Sequence, residues 1–229
     1  MDIQGLQKMT LLDYPGKVAC TVFFGGCDLR CPFCHNRDLV EGPMPAALDE
    51  EELLAFLAKR RGLLDGVCFT GGEPLLRPQL PQLLSRVREL GFLIKVDTNG
   101  GHPQVLRRLV EAGLVDYVAM DVKNSPARYP QTAGVPHLDL APFRESVSFL
   151  LEGTVDYEFR TTVVRQFHHR DSFLDIASWL AGAKRYFLQA FVDRDTVLCP
   201  GLEPCSREEM EEFARLVRPM IPAVELRGV

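Results

Sequence analysis

The stretch Gly25-Gly26-Cys27-Asp28-Leu29-Arg30-Cys31-Pro32-Phe33-Cys34-His35-Asn36 crowds three cysteines into a C-x3-C-x2-C spacing. Thiolates are the usual protein ligands of iron–sulfur clusters, and a cubane has four irons. Three local thiolates can hold three of them and leave the fourth open for a non-protein ligand, much as a catalytic zinc keeps an open position. The plainer alternative is a zinc site with His35 as fourth ligand. It leaves the motifs described below without a role.

Working outward, the cysteine stretch follows a strand candidate at Val18–Phe24. A helix is expected at about Asp49–Arg61, with Asp49 as N-cap and Leu53, Leu54 and Leu57 on one face. Strands are expected at Gly66–Thr70, Leu93–Asp97, Tyr117–Asp121, Tyr157–Val164 and Arg185–Ala190, with a short tail strand at Val224–Leu226. Helices are expected at Gln79–Leu90, Pro103–Ala112, Ala141–Glu152, Ser172–Leu180 and Ser206–Val217. About six β-α units imply a parallel sheet with outer helices. Residues 1–229 read as one domain, with 1–17 a short segment leading into the first strand. Parallel β-α folds place their chemistry at the C-terminal ends of the strands. Those ends carry the cysteines, Gly71-Gly72-Glu73-Pro74, Asp97-Thr98-Asn99-Gly100 and Asp121-Val122-Lys123.

Composition limits the alternatives. A formal net charge of −5 gives no general basic footprint for nucleic acid. Met1 to Met9 lack the apolar stretch of a secretory signal, and no apolar run reaches membrane-spanning length. A soluble, cytoplasmic protein is expected. Seven cysteines, an odd number, argue against a disulfide framework. Cys20 and Cys68 read as small core residues on strands. Cys20 would lie up to about 23 Å from Cys27 along an extended chain, too far to serve as a fourth ligand. Cys199 and Cys205 read as loop thiols, and His168 and His169 as a solvated loop pair. Arg160, a charge inside a β-branched run, should face either a ligand or a buried ion-pair partner.

The three cysteines after a first strand, with Phe33 in the aromatic place before Cys34, resemble the signature of the radical S-adenosylmethionine (SAM) superfamily. The resemblance implies a partial (β/α)6 barrel, a [4Fe-4S] cluster on Cys27, Cys31 and Cys34, and SAM on the open iron. In that superfamily an electron from the cluster cleaves SAM to a 5′-deoxyadenosyl radical. Gly71, Gly72 and Glu73 resemble the family's SAM-amino motif, since glycines allow close backbone approach and an acid complements an ammonium. Phe33, His35, Asp121, Val122, Lys123 and Arg160 join them as candidate cofactor-binding residues. By resemblance to pyruvate formate-lyase activating enzyme, Asp97, Thr98 and Asp121 are candidates for a monovalent-cation site.

Within the superfamily the chain is most similar to glycyl-radical-enzyme activases, and among these to the longer type that activates anaerobic ribonucleoside-triphosphate reductase. Leu11-Leu12-Asp13-Tyr14-Pro15-Gly16-Lys17, Cys34-His35-Asn36, Asp97-Thr98-Asn99-Gly100 and the ending Val224-Glu225-Leu226-Arg227-Gly228 carry that resemblance. It implies hydrogen abstraction from a backbone glycine of a partner glycyl radical enzyme, Asp13 touching the partner's glycine loop, and a flavodoxin or ferredoxin as electron donor. Leu188-Gln189-Ala190-Phe191-Val192 lacks the SAM-contacting histidine that pyruvate formate-lyase activating enzyme carries after its last strand. Gln189 or nearby backbone would have to substitute. The alternatives are a pyruvate formate-lyase activase or a small-molecule enzyme such as 7-carboxy-7-deazaguanine synthase.

Overall fold

The computed structural model describes residues 1–42 and 45–229. Its strands are β1 (Gly5–Thr10), β2 (Ala19–Phe24), β3 (Gly66–Gly71), β4 (Leu93–Thr98), β5 (Tyr117–Asp121), β6 (Asp156–Val163), β7 (Tyr186–Ala190) and β8 (Val224–Arg227). The helices are α1 (Arg37–Glu41), α2 (Glu50–Ala58), α3 (Leu80–Glu89), α4 (Pro103–Glu111), α5 (Tyr129–Ala133), α6 (Ala141–Leu151), α7 (Arg170–Trp179) and α8 (Arg207–Val217). The strands form one sheet in sequence order, β1 to β8. All neighbours from β2 onward are parallel, whereas β1 runs antiparallel to β2.

A sheet in sequence order has every crossover advancing the same way. Right-handed crossovers then put the helices on one face and leave the other free. The strand alternation fits this. In β4, Ile94 and Val96 join the main apolar cluster with Leu83 and Val87 of α3 and Leu106 and Leu109 of α4. Lys95 and Asp97 alternate with them and face the helix-free side. The same split puts Val67 and Phe69 among the helices and Cys68 opposite, and Tyr157 and Phe159 among the helices with Glu158 and Arg160 opposite. The sheet therefore curls around a polar interior. Capping boxes at Asp49–Glu52 and Ser206–Glu209 start α2 and α8, the former at the expected N-cap.

Two expectations change. Residues 1–17 are not merely a lead-in, because Gly5–Thr10 forms an added edge strand. The chain then turns where Thr10 Oγ1 accepts the N–H groups of Leu12 and Asp13. Tyr14 packs against Tyr117 and the first residue of β3, Gly66, closing the N-terminal end of the parallel strands. Asp13 accepts a 2.6 Å hydrogen bond from Thr21 Oγ1 within that segment. It therefore joins the segment to the third residue of β2. His168 is not a solvated loop residue either. It is buried, with Nδ1 accepting from the Val164 N–H at 3.1 Å and Nε2 donating to the Lys123 carbonyl at 2.9 Å. His169, its neighbour, is exposed.

Burial lowers the His168 pKa from 6.5 to about 4. The unfolded chain then binds the extra proton between those values, so this contribution is complete above the unfolded pKa and is lost as pH falls towards 4. Relative to His168→Gln, the parent protein should lose about 3 kcal/mol of stability between pH 7 and pH 4. Urea unfolding of both proteins across that range measures it, and parallel pH profiles would contradict the assignment.

Candidate active site

The parallel topology brings the distant motifs to one rim. A cavity of ≈ 220 Å³ at the C-terminal ends of β2 to β6 is lined by Cys27, Cys31 and Cys34 together with Gly71, Gly72, Asp97, Thr98, Asp121, Lys123 and Arg160. Phe33 and His35 line it too. Phe33 is buried against Phe167, and His35 Nε2 lies 2.7 Å from the Val192 carbonyl. The stretch after β7 thus reaches the site through the Val192 backbone.

Backbone hydrogen bonds tie the cysteine loop to several elements. Gly26 N–H donates to Leu39 O, Arg30 N–H to Ala133 O, and Leu198 and Cys199 N–H to Cys34 O and Pro32 O. Cys199 therefore sits beside the loop, although its sequence neighbourhood shows no link to it. The paired glycines do something other than admit a ligand. A Cβ on Gly72 would fall on the Gly26 carbonyl, and one on Gly71, at φ +125°, on the Phe24 backbone. They let the turn after β3 press against the loop that follows β2, where Glu73 N–H donates to Gly26 O at 2.9 Å.

The donor set suits an iron–sulfur cluster better than a single ion. Three thiols share one cavity, yet among the described residues no three His, Cys, Asp or Glu side chains converge closely enough for one metal ion. A cubane holds its ligands farther apart than a lone zinc does. Burial pushes the Cys27 thiol up to about 12 and Cys31 to about 11, while the Lys123 ammonium pulls both down. A bound cluster would have to displace those protons. The Leu29 N–H donates to Cys27 Sγ at 3.4 Å. Three protein thiolates and cavity-facing cations fit a [4Fe-4S] cluster with an anionic ligand on its fourth iron.

Arg160 organises the polar interior. It spans Asp97 and Asp121 with contacts of 2.9 Å to each. Lys95 pairs with Asp97, and Lys123 with Asp121 at 3.0 Å. Burial alone would raise both carboxyls, but Arg160 with Lys95 or Lys123 outweighs it and holds both below the usual carboxylate range. Arg160 therefore has the ion-pair partners of one alternative, and it also lines the cavity. Arg160, Lys95 and Lys123 already supply positive charge to Asp97 and Asp121, and Thr98 Oγ1 donates to Glu73 at 2.8 Å. Cys68, though buried as expected, faces this network, with Asp97 Oδ1 at 3.5 Å.

Two candidate cofactor residues are placed elsewhere. Glu73 is fully buried and accepts from Leu75 N–H, Thr98 Oγ1 and Asn99 N–H at 3.0, 2.8 and 2.6 Å. Its carboxylate braces the β3 turn against the end of β4 and is not among the residues lining the cavity. Burial, countered in part by those hydrogen bonds, raises its pKa to about 7. Val122 is buried, with its N–H donating to Arg160 O. Sequence reasoning missed Asn36, whose Nδ2 donates to Gly71 O at 3.0 Å, and Asn99, which bonds Asp28 at 2.7 Å beside Cys27. Each lies inside a segment quoted above without a role of its own, and that membership was the available signal.

The profile described as Radical SAM superfamily matches residues 21–171. A protein of Methanocaldococcus jannaschii, provisionally described as a glycyl-radical enzyme activating enzyme, is 28% identical over 99% of this chain and 96% of its own length. The pyruvate formate-lyase-activating enzyme of Clostridium pasteurianum is 35% identical over 53% of this chain and 52% of its own. Among solved structures, Streptococcus suis SuiB bound to S-adenosylmethionine aligns with a TM-score of 0.71 at 13% identity. That alignment covers 91% of this chain and 52% of SuiB, and it shows the shared fold.

Gly72→Ala should force the cysteine loop and the β3 turn apart. The expected cost is about 1–3 kcal/mol or more, with iron uptake on anaerobic reconstitution falling in parallel. Unchanged melting and iron content would contradict the close packing. Arg160→Met should leave the half-buried Asp97 and Asp121 with one lysine partner each and cost about 1.5–3 kcal/mol, measured by urea unfolding. A loss below 1 kcal/mol would show that the pairs are effectively solvated.

Proposed function

This chain belongs to the radical SAM superfamily, and from that premise we propose that it activates a glycyl radical enzyme by abstracting hydrogen from one backbone glycine. When bound, the cluster and SAM supply a one-electron cleavage that yields a hydrogen-abstracting radical. The protein's share is to hold, orient and exclude. Cys27, Cys31 and Cys34 would hold three irons. Lys123 donates one hydrogen bond, to Asp121, and keeps donors to spare on the cavity wall. It is assigned to an anionic group of SAM. Arg160 keeps Asp97 and Asp121 ionised and in register, and Glu73 fixes the rim by bracing two strand ends.

One observation carries the activase reading: the end-to-end correspondence with the Methanocaldococcus relative, where the other relative and SuiB match over about half their lengths. Anaerobic ribonucleoside-triphosphate reductase is the proposed partner, supported by the resemblance of Cys34-His35-Asn36, Asp97-Thr98-Asn99-Gly100 and Val224–Gly228. A flavodoxin or ferredoxin is the proposed electron donor.

Reconstituted protein, dithionite and SAM should convert the reductase to a form with a glycyl doublet in its electron paramagnetic resonance spectrum. The doublet should collapse to a singlet when the glycine Cα carries deuterium. A doublet on pyruvate formate-lyase but not on the reductase would reassign the partner. A deazapurine product formed without any protein partner would reject the activase reading.

A further inference from the structure

We propose that the cleft between the turn after β3 and helix α4 docks the electron donor, an acidic one-electron carrier protein, against the back of the cysteine loop. This rests on the radical SAM reading above, since that chemistry needs one electron delivered from outside. The cleft has a volume of ≈ 570 Å³ and is walled by Leu76, Pro78, Val105 and Leu114, with Arg77 and Arg108 also lining it. No carboxylate lines it. Among the described residues neither arginine has a carboxylate partner. In a chain of net charge −5 that is a local reversal of sign. An apolar floor with a cationic rim suits a partner of opposite surface charge, because rim charges steer encounter while apolar contact holds the complex.

The position matters as much as the charge. Arg77 spans the wall between the cleft and the cysteine loop. Its terminal nitrogen donates to the Gly25 carbonyl, two residues before Cys27, and its buried Nε has no partner. The cleft shares no lining residue with the cysteine cavity. A carrier seated there reaches the cluster from behind while the cavity stays open to SAM and substrate. One electron leaves the carrier's flavin or iron–sulfur group and one enters the cluster, with no other co-reactant.

Arg77 also holds the loop, so Arg108→Glu is the better probe. Arg108 is exposed, and its Nε donates only to Gln104 O within its own helix. Arg218→Glu makes the same charge change at an exposed position outside the cleft. Binding of flavodoxin and of a [2Fe-2S] ferredoxin to the reconstituted protein is measured at low and high salt. With at least one carrier, Arg108→Glu should weaken binding roughly tenfold at low salt, with the gap closing at high salt, and Arg218→Glu should not. Carrier-driven 5′-deoxyadenosine formation should fall with binding, and dithionite-driven formation should match the parent. Equal losses in both variants, no loss in Arg108→Glu, or no binding of either carrier by the parent would overturn the docking site. Absence of dithionite-driven product in every protein, with the partner reductase present, would instead sink the radical SAM reading.

Discussion

Arg160 projects from β6 into the polar interior and joins Asp97 of β4 to Asp121 of β5, each at 2.9 Å. These carboxylates close the strands whose next residues form the rim. Lys95 balances one and Lys123 the other. Half-buried charges of this kind are best tolerated when every member is paired, because each ion has given up part of its hydration. The pairing therefore dictates which side chains remain available. Lys123 keeps unused donors facing the cavity, whereas Asp97 and Asp121 are committed to protein cations. A site built this way offers positive charge to an anionic ligand.

The second constraint is steric. The cysteine loop and the turn after β3 meet backbone to backbone, and a side chain on Gly72 would occupy the place of the Gly26 carbonyl. Glu73 then carries the contact to the far side by accepting from Thr98 and Asn99. The Gly-Gly-Glu run thus works as a joint between three strand ends, with the cysteines on one side of it. This places the run's main contribution in preorganising the rim, which ligand binding can then use without reorganisation.

Much of the fold was legible because its signals are local. Alternation in Leu93–Thr98, the apolar run Tyr117–Met120, Gly91 and Gly113 just past their helices, and the Asp49 cap each mark an element without tertiary information. The cysteine triplet was legible for the same reason. The antiparallel strand Gly5–Thr10 was not, since five of its six residues are left outside the core and no apolar alternation marks it. The destinations of side chains were the least legible. Glu73 and Arg160 carry charges that a sequence shows as available, and only the folded chain shows Glu73 turned inward and Arg160 paired. Asp13 is similar: its segment resembles an activase motif, and only the folded chain shows its carboxylate bonded to Thr21 of β2.

The measurement closest to the central claim is anaerobic turnover with defined cysteines. The protein is reconstituted with iron and sulfide, reduced with dithionite, given SAM, and assayed for 5′-deoxyadenosine beside Cys31→Ala. The account predicts 5′-deoxyadenosine from the parent and none from the variant, with the variant also failing to assemble the cluster. A fully formed, reducible cluster that yields no 5′-deoxyadenosine with the partner reductase present, or equal product from Cys31→Ala, would contradict it.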